Sequence, residues 1–405
     1  MKRIWIERLT AIFSSLLFTF FILELFIRVA YTALPVSLQV LLRDVQRAPW
    51  TAERILPESI WYDHNAYQLV PKPNVDNEFH YPDPRVGFHV STKNWLDPNS
   101  NVGFRVPNID WEPTWPIDAI VVGDSFTFCY VEYDDCWVRQ LETEHGLNMV
   151  NLGLVATGSA SKANVLNTFG LPYQPKFVIW QWYGNDFNDD YGMLSKYGEL
   201  APEETADSTP VSELESQPVS EWLHRNSAVY HFAATILSRS LNGQDLEKYT
   251  RFIDPYFATT DDFSFSYGQP YILESFDLDL ERNQIGRDQT FQIVADVNIR
   301  LQTEPNTPPL VIVLIPTKEE VYAQWTADQL GDSLATLQEG RAAMLQFCTE
   351  QAILCFDSTD VLTVAAKSGQ QLYYTNDSHI NAAGNQILST AVHQFLQENS
   401  LIPTP

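Results

Sequence analysis

The chain has 405 residues, of which 45% are hydrophobic and 13% aromatic, enough to bury one large domain with appended segments. This composition excludes a disordered protein. The formal net charge of −26 argues against a surface that binds nucleic-acid phosphates, so no nucleic-acid partner is expected. A solvated acidic surface is the simpler explanation of that charge, and a preference for neutral or cationic substrates is the alternative.

Residues 1–34 predict a membrane anchor. No charged side chain occurs from Leu9 to Leu23 and the apolar stretch continues to Leu34, whereas about 20 apolar residues suffice to cross a bilayer. Glu24 and Arg28 interrupt the second half four positions apart, so they either pair with each other or lie near the membrane interface. A cleaved signal peptide is the alternative, although no clear small-residue cleavage site follows. Basic residues flank both ends, so the positive-inside rule barely selects an orientation, and we expect the large domain outside the cytoplasm.

Residues 35–116 are rich in aromatic residues and prolines, and prolines recur from Pro71 to Pro116. This pattern predicts short extended pieces rather than long helices. We expect the segment to form a lead-in that wraps around the main domain.

The remainder, residues 117–400, alternates short apolar runs with helical patterns. The runs predict the strands Ile117–Val122, Asn148–Asn151, Phe177–Trp182, Leu310–Ile315 and Ile353–Phe356. The helical patterns are Trp137–His145, Asp288–Leu301, Ser333–Glu350 and Ala382–Gln397. Together they predict a three-layer α/β/α domain with a central parallel sheet covered on both faces. Ligands of such sheets bind beyond the carboxyl ends of the strands, which is where Ser125 falls.

An insertion, residues 187–309, separates the third and fourth predicted strands. Its section 201–221 holds several acidic residues and prolines but no lysine or arginine, a composition typical of a mobile loop. The aromatic section 249–276 is expected to pack against the core as a cap.

Four short motifs resemble the conserved blocks of the SGNH/GDSL hydrolases and occur in the order of that family. They are GDSFTFCY from Gly123, NLGLVATGSAS from Asn151, YGND from Tyr183 and NDSHINAAGN from Asn376. The resemblance covers about residues 117–398 and implies the flavodoxin-like SGNH fold. Upstream, the Gly103-Phe104-Arg105 element resembles the lead-in of membrane-anchored bacterial members.

The resemblance implies a serine nucleophile at Ser125, with His379 as the general base and Asp377 as the group that orients it. Asp124 and Gly184 are the supporting residues next to these motifs, since a glycine lets the chain approach closely. The family's last block is commonly Asp-x-x-His, whereas here Asn376 lies three residues before the histidine. Asp377 is favoured as the orienting group because a similar Asp-x-His spacing occurs in the branch resembling bacterial polysaccharide acetylation proteins; Asn376, or no residue, is the alternative.

The same resemblance implies an oxyanion hole, a set of donors that stabilises the negative oxygen of the reaction intermediate. Its donors would be the backbone N–H of Ser125, a backbone N–H of the second block and the side-chain amide of Asn185. The second block lacks the usual glycine, so its donor is either Ala156 or Gly158. An alanine can replace a glycine without strain only if φ remains negative.

Each of these residues also has a structural explanation. Ser125 alone fits a helix N-cap, Asn185 fits a turn, and His379 fits a surface position at a helix start. The order of four motifs, rather than any single residue, favours the active site. The scattered histidines and the lack of paired CxxC or phosphate-loop motifs predict neither a metal nor another cofactor.

The four cysteines form two local pairs, Cys129/Cys136 and Cys348/Cys355, which are either disulfides of an extracytoplasmic domain or buried free thiols. The resemblance implies an esterase that removes an acyl group, O-acetyl being favoured, from a carbohydrate or envelope polymer. A second hypothesis is an O-acyltransferase that passes the acyl group to a sugar hydroxyl. A third is an inactive carbohydrate-binding or assembly protein that keeps the fold.

Overall fold

The computed structural model describes residues 2–30, 61–64, 68–79, 87–95, 102–196, 223, 227–241 and 254–403. The end of the predicted anchor, residues 31–34, lies outside the described residues, as does the predicted mobile loop, residues 201–221. The first five residues of the predicted aromatic cap, 249–253, also lie outside them.

The strands are β1 (Trp61–His64), β2 (Gln68–Pro71), β3 (Asp76–Phe79), β4 (Phe88–Lys93), β5 (Phe104–Val106), β6 (Ala119–Val122), β7 (Met149–Asn151), β8 (Phe177–Trp182), β9 (Tyr256–Thr259), β10 (Ser264–Tyr267), β11 (Leu310–Leu314) and β12 (Leu354–Asp357). The α-helices are α1 (Lys2–Val29), α2 (Ser125–Phe128), α3 (Trp137–Thr143), α4 (Ser159–Val165), α5 (Asp186–Lys196), α6 (Ala228–Leu241), α7 (Pro270–Ser275), α8 (Glu281–Thr303), α9 (Lys318–Val321), α10 (Ala323–Leu330), α11 (Asp332–Gln351), α12 (Thr359–Lys367) and α13 (Ala382–Glu398).

The centre of the domain is a five-stranded parallel sheet in the order β12-β11-β8-β6-β7. The predicted α/β fold is therefore confirmed, and the five predicted strands match within two residues at each end. Numbered along the chain, the sheet has the order 2-1-3-4-5 of flavodoxin-like folds, in which the winding direction reverses between the first and third strands. Here that reversal lies between β6 and β8, so it places the chain segments that follow these two strands beside each other.

Alternate residues of each strand face opposite sides of the sheet, so both faces need an apolar cover. In β6, Ala119 and Val121 belong to one buried cluster, whereas Ile120 and Val122 belong to the other. Helices α3, α12 and α13 contribute to the first cluster, and α4, α8 and most of α11 contribute to the second. The sheet is thus the middle layer of three.

Helix α8 differs from its prediction because it begins at Glu281, seven residues before the predicted Asp288. Its first turns are polar in sequence, yet Asn283 is fully buried and donates to the carbonyls of Glu274 (2.6 Å) and Asp277 (2.7 Å). A search for apolar periodicity cannot detect a helix start that is buried through hydrogen bonds.

The described part of the lead-in consists mainly of short strands. Strands β1 and β2 form a hairpin, and β3, β4 and β5 form a separate antiparallel sheet. The buried Arg105 of β5 joins this sheet to the segment that follows α2, because its guanidinium donates to the carbonyls of Phe128 (2.7 Å), Cys129 and Val131 (2.5 Å). Desolvation lowers the pKa of Arg105 to about 10, which leaves it charged at neutral pH.

The aromatic section of the predicted insertion packs against the core, as expected for the described residues. Strands β9 and β10 form an antiparallel hairpin whose Phe265 and Tyr267 are buried. Helix α7 adds Ile272, and Phe276 follows it in the same cluster as β6 and β8 residues. This section forms one wall over the carboxyl ends of the strands.

Both predicted cysteine pairs are disulfide-bonded, with Cα–Cα distances of 5.6 Å for Cys129–Cys136 and 6.2 Å for Cys348–Cys355.

At the N-terminus, residues Thr10–Val29 of α1 have a mean hydropathy of 2.1, long and apolar enough to cross a membrane or to serve as a signal sequence. The pairing expected as one arrangement of the charges in α1 is present, because Arg28 Nε lies 2.8 Å from Glu24 Oε1.

Candidate active site

Strand β6 ends in a tight turn that presents Ser125 at the start of α2. Gly123 is required there, because a Cβ atom would lie 2.0 Å from Thr127 Oγ1 and 2.5 Å from Gln181 Oε1. Asp124 caps the short helix by accepting from the backbone N–H of Phe126 (2.8 Å). Its own backbone N–H donates to Gln181 Oε1 (2.9 Å), so a buried side chain of β8 fixes this turn, which is called the nucleophile turn after the predicted role of Ser125.

The structure brings Ser125, His379 and Asp377 together from segments about 250 residues apart in the chain. Ser125 Oγ lies 2.7 Å from His379 Nε2, and His379 Nδ1 lies 2.5 Å from Asp377 Oδ1. The backbone N–H of His379 also donates to that carboxylate oxygen, at 2.9 Å. One carboxylate therefore orients both the ring and the main chain of the histidine, which is the arrangement a serine nucleophile needs.

Aromatic rings flank the histidine and limit its rotation. The ring centroids of Phe126 and Tyr130 lie 4.8 Å and 4.6 Å from that of His379. Tyr374 donates its hydroxyl to the Tyr130 carbonyl (2.6 Å), which ties the residues just before the last block to the end of the first block. The His379 side chain remains 14% exposed.

A buried lysine that was not predicted from the sequence holds the main chain at Asp377. Lys318 is 1% exposed, and its ammonium donates to the backbone carbonyl of Asp377 (2.9 Å). The lysine begins helix α9, which is fixed by a capping box between Thr317 and Glu320. The Thr-x-x-Glu spacing after an apolar strand was a readable signal for this helix start.

Asn185 follows β8, on the other side of the nucleophile turn. Its amide nitrogen donates to Asp189 Oδ2 one turn later (3.0 Å), and its amide oxygen is buried with no hydrogen-bond partner in the part of the chain that the structure describes. Gly184 before it allows the close approach of Phe276, since a Cβ would lie 2.0 Å from that ring. The close approach expected of Gly184 is therefore made by an aromatic ring of the cap.

The second block lies next to the nucleophile turn, because the backbone N–H of Leu154 donates to the Gly123 carbonyl (3.0 Å). Ala156 has a φ of +50°, the left-handed region that favours glycine. Gly158 has a φ of −84° but cannot accept a side chain, because a Cβ would lie 2.4 Å from Asp190 Oδ1. The condition that φ remains negative is thus not met at Ala156, which adopts a glycine-like backbone at an exposed position.

Below the site lies a cluster of acidic side chains around one buried cation. Lys162 is 2% exposed; its ammonium lies 2.5 Å from Asp186 Oδ2 and donates to the Gln181 carbonyl at 3.0 Å. Burial raises the pKa of Asp124 and Asp190 and raises that of Asp186 well above its ordinary value, and the charge on Lys162 opposes each of these shifts. Burial likewise raises the pKa of Asp189 to about 7.

Lys162, Asp186, Asp189 and Asp190 were not predicted as functional residues. The burial of Lys162 could have been predicted from the sequence. It precedes Val165, Leu166 and Phe169 by three, four and seven residues, the spacing of one helix face, and these three residues are buried. Among the described residues, no three His, Cys, Asp or Glu side chains are arranged so that they could hold a metal ion.

Comparison with known proteins identifies the domain. Residues 274–404 match the family described as SGNH hydrolase-like domain, acetyltransferase AlgX. This range includes Asp377 and His379 but not Ser125 or Asn185. This match, limited to residues 274–404, confirms the predicted relation to the SGNH/GDSL hydrolases. No curated protein matches the sequence.

Several solved structures resemble the chain distantly. The acetylxylan esterase Axe2 from Geobacillus stearothermophilus is 11% identical, with a TM-score of 0.36 over 69% of this chain and 93% of that one. Phospholipase A1 from Streptomyces albidoflavus is 9% identical, with a TM-score of 0.38 over 70% and 98% of the two chains. A two-domain esterase active on acetylated mannans is 10% identical, with a TM-score of 0.33 over 71% of this chain. The present chain spans about half of that esterase, 51% of its length.

Proposed function

We propose that the protein is an SGNH-type serine esterase that removes an acyl group, O-acetyl in the favoured case, from a carbohydrate or envelope ester. The observation that carries the proposal is the continuous hydrogen-bonded relay from Ser125 through His379 to Asp377, with contacts of 2.7 Å and 2.5 Å. A helix N-cap explains a serine at this position but gives no reason for a histidine and a carboxylate aligned behind its hydroxyl.

The geometry supports a two-step acyl transfer. Ser125 Oγ attacks the ester carbonyl carbon while His379 Nε2 takes the hydroxyl proton, and Asp377 stabilises the resulting imidazolium. The tetrahedral intermediate collapses when the ester's alkoxy group leaves with the proton from His379, which produces the free hydroxyl and an acyl-Ser125. Water then loses a proton to His379 and attacks the acyl carbon. When this second intermediate collapses, Ser125 Oγ leaves and takes the proton back from His379, which releases the carboxylic acid and restores Ser125.

The negative oxygen of both intermediates needs donors. We assign them to the backbone N–H of Ser125, the amide of Asn185 and a backbone N–H of the second block, at Ala156 or Gly158. The left-handed φ of Ala156 favours Ala156, because it reproduces the backbone that a glycine would adopt there. Asp124 holds the nucleophile turn through its cap and its bond to Gln181.

An O-acyltransferase is the second candidate, and the family description, which names an acetyltransferase, favours it specifically. The first step is the same, and only the acceptor differs, a sugar hydroxyl in place of water. The two activities are separated by adding unacetylated oligosaccharide to a reaction with an acetylated chromogenic ester. A transferase yields acetylated oligosaccharide, whereas an esterase yields acetate alone.

The proposed location is the outer side of a membrane, with α1 as an uncleaved anchor. The two disulfides support an oxidising compartment, and α1 has the length and composition of a membrane span. Intact-protein mass measurement distinguishes the anchor from a cleaved signal peptide. A mature chain that begins after α1 would exclude the anchor without affecting the enzymatic proposal.

The activity is tested with the full-length protein in detergent. Labelling by a fluorophosphonate, followed by assays against acetylated chromogenic esters and acetylated glycans, distinguishes an active enzyme from an inactive binding protein. Ser125→Ala should abolish both labelling and turnover, whereas Ser333→Ala, at the start of α11 and remote in sequence from all four motifs, should leave both unchanged. Labelling that persists in Ser125→Ala would assign the nucleophile elsewhere.

A further inference from the structure

The carboxylate of Glu24, inside the apolar helix α1, is satisfied by the start of a helix from the predicted insertion. Oε1 accepts from the backbone N–H of Ala228 (2.9 Å), and Oε2 accepts from the backbone N–H of Val229 (3.1 Å) and from the Ser227 hydroxyl (3.0 Å). Arg28 provides the fourth donor, with its Nε 2.8 Å from Oε1. The Glu24 side chain is 16% exposed as a result.

This arrangement solves two physical problems at once. A carboxylate in an apolar membrane helix is costly unless donors surround it. The first backbone N–H groups of α6 have no partner within their own helix, and the helix dipole favours negative charge at that end. The N-terminus of α6 therefore supplies hydrogen-bond donors to the Glu24 carboxylate, and Glu24 supplies the acceptor and the negative charge that the N-terminus lacks, over a sequence separation of about 200 residues.

The position of Glu24 places this contact near the membrane surface. Glu24 lies five residues before Val29, the end of the apolar span. At 1.5 Å per residue, the contact is about 8 Å inside the end of the span, within the roughly 5–10 Å to which interfacial helices bury their apolar face. Helix α6 has 14 residues, too short to cross a bilayer by itself.

The composition of α6 suits that boundary. Its sequence, AVYHFAATILSRSL, contains no acidic residue, although the chain has a net charge of −26. It contains one arginine and a majority of apolar residues, as interfacial helices do. The side chain of Ala233 in α6 is exposed among the described residues.

We propose that α6 is a second membrane-contacting helix, clamped by Glu24 to the anchor and lying at the lipid surface. The proposal rests on the uncleaved anchor proposed above. Along the chain α6 lies between α5, which begins next to Asn185, and the hairpin β9–β10 of the cap. The clamp would therefore hold the segment that connects these two walls of the active site against the bilayer.

The clamp is tested by amide hydrogen exchange of the full-length protein in phosphatidylcholine nanodiscs. Glu24→Ala should accelerate exchange at Ala228 and Val229 by about tenfold or more, because both amides lose a charged acceptor. Leu25→Ala changes the adjacent lipid-exposed position and should leave exchange at those two amides unchanged. Exchange in α13 should be the same in both variants as in the wild type. Equal exchange in wild type and Glu24→Ala would overturn the proposal.

The lipid contact is tested with a nitroxide attached to Ala233→Cys, which is practical because the four native cysteines are disulfide-bonded. In nanodiscs the label should collide with oxygen more often than with a water-soluble nickel chelate. Ala342→Cys, exposed on α11, should show the opposite preference. A nickel-accessible label at position 233 would refute the lipid contact. Intact mass establishes beforehand that α1 is present, and ester turnover is measured separately, so neither failure affects the proposed chemistry.

Discussion

Replacement of Lys162 by methionine should destabilise the domain, because it removes the cation at the centre of the buried acidic cluster. The ammonium lies 2.5 Å from Asp186 Oδ2, and the two side chains are 1% and 0% exposed. Methionine keeps much of the volume of the side chain but provides no charge and no donor. Asp186 then has to remain buried either ionised without a partner or protonated.

The distance between Lys162 and Asp186 sets the expected loss of unfolding free energy. At 2.5 Å and an effective dielectric constant of about 20, Coulomb's law gives a gross attraction of about 7 kcal/mol. Protonation of Asp186 recovers part of this loss, since burial already raises its pKa well above the ordinary value. The expected loss is therefore about 3–5 kcal/mol of unfolding free energy at pH 8. It should become smaller as the pH falls, because protonation of Asp186 removes the charge that needs a cation.

Urea unfolding followed by tryptophan fluorescence measures the loss. Lys176→Met is a matched control, because Lys176 Nζ also lies 2.6 Å from a carboxylate oxygen of Asp118 but its side chain is 61% exposed. That surface pair should contribute no more than about 1 kcal/mol. The double variant Lys162→Met/Asp186→Asn should be more stable than the sum of the single effects predicts. A Lys162→Met loss within about 1 kcal/mol of the control, or additivity in the double variant, would refute the reasoning.

Four further outcomes follow from the site. Ser125→Ala and His379→Ala should each remove nearly all turnover, and the double variant should be little worse, because the two act as a unit; partial, additive losses would contradict this. Asn185→Ala should lower kcat by about 10²–10³ with KM and Tm nearly unchanged, unless the residue serves only as a turn. Ala156→Gly should raise unfolding free energy by about 1 kcal/mol, through relief of the positive φ, and retain turnover; a loss of stability would contradict the strain. Because the pKa of Asp189 is raised from 3.8 to about 7, the folded state binds more protons than the unfolded state in that window, so stability should fall as pH rises through it. Asp189→Asn should flatten that pH dependence in thermal unfolding, and an unchanged slope would exclude Asp189 as its source.

The sheet could be predicted from the sequence because buried parallel strands are short continuous apolar runs. The run from Ile120 to Val122 and the run from Leu310 to Leu314 each stand between polar or proline-containing segments, so their limits are clear. Ser125 and Asn185 could be located for the same reason, since each follows directly on such a run. The proximity of His379 follows only from the family's motif order, because no local pattern brings together residues so far apart in the chain.

The buried polar framework could not be predicted from apolar periodicity. Lys318, Asp186 and Asn283 occupy interior positions through specific hydrogen bonds, and the partner of each lies on another segment or turn of the chain. Hydrophobic patterns contain no information on such partners, so a charged residue in sequence is ordinarily assigned to the surface. The same limit explains why the start of α8 was missed.

Two buried lysines contact segments of the proposed relay, in a chain with 25 lysines and arginines and 51 acidic residues. Lys162 donates to the carbonyl of Gln181, whose side chain holds the nucleophile turn, and Lys318 donates to the carbonyl of Asp377. Each ammonium is thus one hydrogen bond from a segment that carries a catalytic group. Because a buried charge fixes its partners far more strictly than a solvated one, the position of Ser125 relative to His379 should depend on these two lysines rather than on the acidic surface. Salt, which screens surface charges within about 10 Å at 0.1 M, should therefore alter substrate capture more than the catalytic step itself.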